Sequence, residues 1–260
     1  MVVDAFDLTG RVALVTGAGS ETGIGFAAAY LLGQMGARLA VTATSERIEL
    51  RVDELRTRGI EAFGVAADLT DSVQAELLVR SVLSRYEGLD VVVNNAGMTS
   101  VTDPVEPSGD AELSDEQWHA GLARNLDTAY FVTRAALRPM VSSAFGRVVN
   151  VASITGPVMA MRGEPVYAAA KAAMVGLTRA LAVEVADRGI TVNAVCPGWI
   201  ATGSQSEHER LQGERTPLGR SATAAEVASA IGWLATPGAS YVTGQCIVVD
   251  GGNSIAEERA

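Results

Sequence analysis

Tyr167 and Lys171 are the pair in this 260-residue chain whose types and spacing point most directly to chemistry. On a helix an i, i+4 pair lies on one face, so the phenol and the ammonium would look into the same space. A phenol of ordinary pKa about 10 is a poor acid-base group near neutrality. An adjacent ammonium favours the phenolate and is expected to bring that pKa toward working pH. Tyr-x-x-x-Lys alone occurs by chance in many helices. Here it follows an apolar run that ends Asn150-Val151-Ala152-Ser153. Residues at the C-terminal ends of strands in an open α/β sheet face the ligand crevice. Ser153 there can donate a hydrogen bond to a carbonyl oxygen on which charge develops.

A second group of residues suits a phosphate. Thr16-Gly17-Ala18-Gly19-Ser20-Glu21-Thr22-Gly23-Ile24-Gly25 follows the first apolar run and leads into a helix pattern. Glycines let the backbone turn tightly and bring a pyrophosphate against free N–H groups and the positive end of the helix dipole. A site for NAD commonly places an acid about 20 residues further on, to accept the ribose 2′-hydroxyl. The aligned position here is Ala43, and the neighbourhood is Thr42-Ala43-Thr44-Ser45-Glu46-Arg47. Thr44 and Ser45 offer hydroxyl donors, and Arg47 offers a charge for a 2′-phosphate. NADP(H) is therefore favoured and NAD(H) stays open, because a one-residue shift brings Glu46 to the ribose. On the purely structural alternative, Ser45 caps the next helix and Arg47 is solvated.

The elements that must hold these groups read as alternating strands and helices. Apolar runs at Val12–Thr16, Leu39–Thr42, Ala62–Ala66, Val91–Asn94, Val148–Val151, Thr191–Val195 and Cys246–Val249 read as parallel strands covered on both faces. Helical patterns at Gly25–Met35, Arg47–Arg58 and Val73–Tyr86 lie between them. The expectation is an α/β fold, a doubly wound Rossmann-type seven-stranded parallel sheet with helices on both faces. Seven strands leave no room for a separate substrate domain, so residues 1–260 read as one dinucleotide-binding and catalytic domain. The stretch Asp103–Glu116 carries six acids and no base and reads as a surface loop, closed by a helix start where Ser114 and Gln117 have capping-box spacing.

Composition narrows the function classes. Net charge is -10, which argues against a nucleic-acid partner. Two cysteines, Cys196 and Cys246, make no disulfide framework, and two histidines do not complete a metal cluster with them. The N-terminus places Asp4 and Asp7 where a signal peptide needs positive charge, and no run reaches 18 continuous apolar residues. A cytoplasmic protein with no membrane association and no metal site is the expectation.

Read in order, the pieces resemble the single-domain branch of the short-chain dehydrogenase/reductase family. The resemblance rests on Thr16…Gly23-Ile24-Gly25, Asp68-Leu69, Asn94-Asn95-Ala96-Gly97, Asn125-Leu126, Ser153, Tyr167-x-x-x-Lys171, Pro197-Gly198 with Thr202, and Val242-Thr243-Gly244…Asp250-Gly251-Gly252. Thr42–Glu46 further resembles the bacterial 3-oxoacyl-carrier-protein reductases. The resemblance implies an oxidoreductase reducing a ketone to a secondary alcohol, reversibly. Tyr167 would be general acid, Ser153 would polarise the carbonyl, and Lys171 would hold the nicotinamide ribose and lower the tyrosine pKa. Asn125 would hold a water in a proton relay. It implies cofactor contacts at Gly17, Ser20, Gly23, Ile24, Asp68, Leu69, Asn95, Ala96, Gly97, Pro197, Gly198, Ile200 and Thr202, with Asn94 near the ribose, and a homotetramer.

Two spacings depart from that pattern. Six positions separate Gly17 from Gly23 where the family loop usually has four, so two residues bulge near the phosphates, with Ser20 or Thr22 as possible extra donors. Ser153 and Tyr167 are 14 positions apart against 13 in the commonest members, so Pro157–Pro165 must loop outward. Thr155, Met159, Met161, Trp199 and Ile200 are expected to line the substrate pocket. Arg188 matches one basic docking position of the carrier-protein reductases, but Ala144 stands where another is expected. A free ketone is therefore favoured over a carrier-bound one, with an NAD-dependent alcohol or sugar dehydrogenase and a carrier-protein reductase as alternatives. A nucleotide-sensing protein without chemistry is disfavoured by the intact Asn125, Ser153, Tyr167 and Lys171 set.

Overall fold

The computed structural model describes residues 4–97 and 111–257. Most of the expected acidic loop, from 103 to 110, lies outside the described residues. Where the chain is described again, the Ser114 hydroxyl and Gln117 form the expected capping box at the start of helix α4 (Asp115–Leu122).

All seven expected strands form. They are β1 (Val12–Val15), β2 (Arg38–Ala43), β3 (Ala62–Ala66), β4 (Val91–Asn94), β5 (Gly146–Val151), β6 (Ile190–Pro197) and β9 (Cys246–Val249). They pair in the order β3-β2-β1-β4-β5-β6-β9, every neighbour parallel. A separate two-stranded ribbon pairs β7 (Ile200–Ala201) with β8 (Ala222–Thr223). The near-continuous apolar runs have their cause in two-sided burial. In β1, Ala13 and Val15 face one core layer while Val12 and Leu14 face the other.

Helices α1 (Ile24–Gln34), α2 (Ile48–Thr57) and α8 (Ala224–Leu234) cover the first face. On the opposite face lie α3 (Ser72–Tyr86), α5 (Thr128–Ser143) and α6 (Pro165–Val185). The short helix α7 (Glu207–Glu214) follows β7. Strand order reverses between β1 and β4, so the crevice at their C-terminal ends is the topological switch point where ligands bind in such sheets.

Two local features shape that crevice. Between α4 and α5 the chain makes one π-helical turn at Ala123–Asp127, which carries Asn125 inward. Helix α6 begins at Pro165, whose fixed φ suits a first helical position. The segment Pro165–Arg188 is long and apolar enough to cross a membrane by length and composition. It instead packs on the sheet, with Ala170, Met174, Val175, Thr178, Ala182 and Val185 buried, which is the behaviour of a core helix.

Candidate active site

The glycine loop is fixed from behind by the end of β4. Thr16 Oγ1 accepts the backbone N–H groups of Asn95 and Ala96, each at 3.0 Å. The Asn95 amide donates to the carbonyls of Thr16 at 3.1 Å and Gly17 at 3.0 Å. Gly17 has φ 66°, and a Cβ there would sit 2.8 Å from the Ala96 backbone, so only glycine fits. The Asn94 Nδ2 donates to Thr133 Oγ1 at 2.7 Å and Asn150 Oδ1 at 2.8 Å, deep in the core, while its Oδ1 is buried without a partner. Both asparagine side chains therefore hold the loop and the strands in place. Each does so through its Nδ2, and among the described residues no protein donor meets either Oδ1. The N-terminus of the 11-residue helix α1 has Gly23 at its cap and no side chain satisfying it. Its open N–H groups fit a pyrophosphate.

At the adenosine end, Ala43 closes β2 with no carboxylate. The Arg47 guanidinium lies against Gly19, where an added Cβ would be 3.5 Å from its Nη2 and 2.8 Å from Ala43 Cβ. Arg47 Nε is buried without a partner. Thr44 and Glu46 are exposed, and the Ser45 hydroxyl does not cap α2, whose N-cap is Arg47 with no side-chain bond. Two hydroxyls and one unspent guanidinium N–H thus surround this corner, a donor set that fits a phosphate. Asp68 is exposed after β3, and its Oδ1 accepts from Thr70 N at 3.0 Å and Thr70 Oγ1 at 2.7 Å. It shapes the turn into α3, while Leu69 beside it is buried.

The longer loop does not simply protrude. Ser20 is exposed and takes Gly23 N–H on its carbonyl at 3.1 Å. Thr22 Oγ1 accepts the backbone N–H of Gly203 at 2.7 Å, reaching across to the segment that follows β7. Thr202 Oγ1 meets Ser204 Oγ at 3.0 Å in that same segment.

At the other end of the crevice, Ser153, Tyr167, Lys171 and Asn125 converge. Lys171 is 3% exposed, and its Nζ donates to the Val151 carbonyl at 3.0 Å. The same nitrogen stands 5.5 Å from the centre of the Tyr167 ring. A Cβ built on Gly97 would lie 3.3 Å from Asn125 Oδ1 and 3.5 Å from Lys171 Nζ, so both groups border one hollow. Asn125 Nδ2 donates to the Gly121 carbonyl at 3.2 Å, while its Oδ1 is buried with no partner.

The protonation energetics reverse the expected order. Burial pushes the Tyr167 phenol up to about 12, although Ser153 pulls it the other way. Burial likewise lowers Lys171 to about 8. The expectation that the ammonium draws the phenol toward neutrality is corrected, because the ammonium points at the Val151 carbonyl and low polarity dominates.

The extra residue between Ser153 and Tyr167 is absorbed in a tight turn. Gly156 N–H bonds the Met159 carbonyl at 2.7 Å, and Met159 N–H bonds the Ile154 carbonyl at 2.8 Å. Met159 thereby reaches the buried Asn253, whose Nδ2 lies 3.8 Å from its sulfur. Asn253 is outside the sequence expectation, since nothing local marks a C-terminal turn residue as a partner of Met159. Thr155, Trp199 and Ile200 are half-buried, and Met161 is exposed. Pro197 and Gly198 are held from both sides, by Ile154 N–H on the Pro197 carbonyl and by Gly198 N–H on the Val249 carbonyl, each at 3.0 Å. Among the described residues no group of three His, Cys, Asp or Glu side chains suits a metal ion.

This layout is matched across the chain by known proteins. The family model described as enoyl-(acyl carrier protein) reductase matches residues 17–254. The chain belongs to the short-chain dehydrogenase/reductase family. It is an oxidoreductase acting on CH–OH and C=O groups with a nicotinamide cofactor. It is 40% identical to the 3-oxoacyl-[acyl-carrier-protein] reductase FabG of Pseudomonas aeruginosa, over 94% of this chain and 98% of that protein. It is 37% identical to the oxidoreductase UcpA of Escherichia coli O157:H7, over 96% and 97% of the two chains. A short-chain type dehydrogenase/reductase from Mycobacterium marinum superposes with a TM-score of 0.88 at 32% identity, covering 97% of this chain and 98% of that one.

Proposed function

We propose that this dehydrogenase/reductase uses NADP(H) to reduce a ketone to a secondary alcohol. The observation that carries the cofactor choice is the Arg47 guanidinium against Gly19, with its Nε buried and unpaired, beside an alanine where an NAD site would place an acid. Gly17, Gly23, Ile24 and the Asn95–Gly97 backbone would hold the pyrophosphate and ribose, with Thr44 and Ser45 beside the 2′-phosphate. Leu69 would border the adenine, and Pro197, Gly198, Ile200 and Thr202 the nicotinamide side.

When bound, the nicotinamide supplies the hydride. The chain's own residues supply the proton and its path. A phenol held near 12 is fully protonated at neutral pH, which suits Tyr167 as the general acid for a carbonyl oxygen. Ser153 orients that oxygen. Lys171, tethered to the Val151 carbonyl, and Asn125, with its unsatisfied Oδ1, border one hollow that a water would bridge. Reprotonation of Tyr167 would run along that line. In the alcohol-oxidising direction the same group, deprotonated, would act as the base.

A 3-oxoacyl thioester is the second substrate reading, favoured by the 40% identity to the FabG reductase. The docking surface weakens it. Arg188 sits 3.8 Å from the carboxylate of Asp187, which offsets its charge, and Ala144 brings none. We also propose a homotetramer, in keeping with the family and with Val183 standing 84% exposed on the apolar helix α6. The test is the initial rate with NADPH and NADH, each against free ketones and an acetoacetyl thioester. Faster turnover of free ketones with NADPH is the expected result. Preference for NADH would return Glu46 to the ribose, and preference for the thioester would make the carrier-protein reading the right one.

A further inference from the structure

Cys196 and Cys246 are 50 residues apart in sequence, yet their sulfurs stand 2.6 Å from each other. The register explains the meeting. Ala194 pairs with Cys246 and Cys196 with Val248, so the two cysteines are diagonal neighbours on one face of adjacent strands. That face is the one under α6, where Cys196 packs with Ala152, Met174 and Met159. Cys196 is fully buried at the end of β6, and Cys246 is half-exposed at the start of the edge strand β9.

We propose that Cys196 and Cys246 are a dithiol that a peroxide closes reversibly to a disulfide, and that closure disturbs the wall behind Ser153. The division of labour follows from exposure. Cys246, reachable from solvent, attacks the peroxide oxygen as thiolate, forming a sulfenic acid and releasing one water or alcohol. Cys196, already in contact, attacks that sulfur, and the second water leaves as the S–S bond forms. Two thiols and one peroxide give one disulfide and two hydroxylic products. The thiol-to-thiol hydrogen bond and nearby Arg179 lower Cys246 to about 7, while Cys196 is raised by the same hydrogen bond and by burial. An accessible low-pKa thiol beside a resolving thiol is the arrangement that oxidises selectively.

The link to the active site is packing: Cys196 shares one buried cluster with Ala152 and Ile154, the residues on either side of Ser153. A bond to Cys246 draws the Cys196 sulfur toward β9 and loosens its packing against Ala152 and Ile154, behind Ser153. The activity effect rests on the ketoreductase reading, whereas the thiol chemistry does not. The experiment treats the full-length reduced protein with stoichiometric hydrogen peroxide. Free thiols are counted after denaturation and peptides are mapped by mass spectrometry without reductant, with turnover followed in parallel. The expected result is loss of both thiols, one intrachain Cys196–Cys246 peptide pair and a kcat lowered about threefold to tenfold, all restored by dithiothreitol. Cys246→Ser and Cys196→Ala should each abolish the cross-link and the peroxide sensitivity. Surviving thiols, over-oxidised Cys246 without a cross-link, or a disulfide between two chains would overturn the pair. A fully cross-linked enzyme with unchanged kcat would overturn its link to Ser153. An enzyme inactive on every ketone before oxidation, yet cross-linking normally, would count against the ketoreductase reading alone.

Discussion

The Thr22 hydroxyl accepts the Gly203 backbone N–H at 2.7 Å, joining the glycine loop to the segment after β7 across 181 residues of sequence. Both ends are exposed, so the bond is worth of order 1 kcal/mol and breaks easily. On the proposed reading of the glycine loop, it spans the path by which the dinucleotide enters and leaves. Thr22→Val keeps the shape and removes the acceptor. NADPH release, followed by stopped-flow fluorescence, should quicken about threefold to tenfold with kcat/KM for the ketone little changed. Thr22→Ser should restore the slow release. Identical rates in all three proteins would mean the contact does not outlast cofactor entry.

Arg47 offers a sharper test of cofactor choice. Its buried Nε has no protein partner and its guanidinium lies against Gly19. Charge-assisted hydrogen bonds to phosphate contribute about 1.5–3 kcal/mol. Arg47→Ala should therefore raise the KM for NADPH tenfold or more and leave that for NADH within about twofold. Equal effects on both cofactors would assign Arg47 a role in holding Gly19 and Ala43 rather than a phosphate.

Tyr167→Phe separates chemistry from binding. The substitution deletes the phenolic proton and leaves the ring beside Lys171. A general acid contributes about 100-fold to 10,000-fold, so kcat should fall within that range. Cofactor affinity, read by fluorescence titration, should stay within about twofold. Retained turnover would sink the assignment of Tyr167 as proton donor.

Much of this arrangement was legible in the sequence, for identifiable reasons. The seven strands announce themselves because burial on both faces makes each an apolar run, as in Val12–Val15 and Val91–Asn94. The strand ends and the i, i+4 spacing placed Ser153, Tyr167 and Lys171 in one crevice. What stayed hidden depends on three-dimensional environment. Spacing carries no information on burial, so the upward shift of Tyr167 could not be read from its distance to Lys171 in sequence. Register joins Cys196 to Cys246, and register between strands 50 residues apart is not a local property. Thr22 reads in sequence as one of two possible phosphate donors, and only the path of the chain after β7 shows its oxygen accepting from Gly203 as well.

Lys171 carries the clearest pH signature. Its ammonium is buried with the Val151 carbonyl as hydrogen-bond acceptor, and its pKa falls from 10.5 to about 8. Below pH 8 the group is charged in both the folded and unfolded states, and the full cost of burying the charge weighs on the fold. Between about 8 and 10.5 the folded state gives up the proton first, so the unfolded state binds more protons and stability rises with pH. The shift corresponds to about 3 kcal/mol in all. Lys171→Met has no such charge, and it should be the more stable protein at pH 7, with the difference closing as pH approaches 10. Denaturant unfolding of both proteins across that range reads the gap directly, since titrating groups remote from Lys171 cancel between them. A gap that stays flat with pH would mean water reaches the ammonium in the folded protein, and the burial that also holds the Tyr167 proton would fall with it.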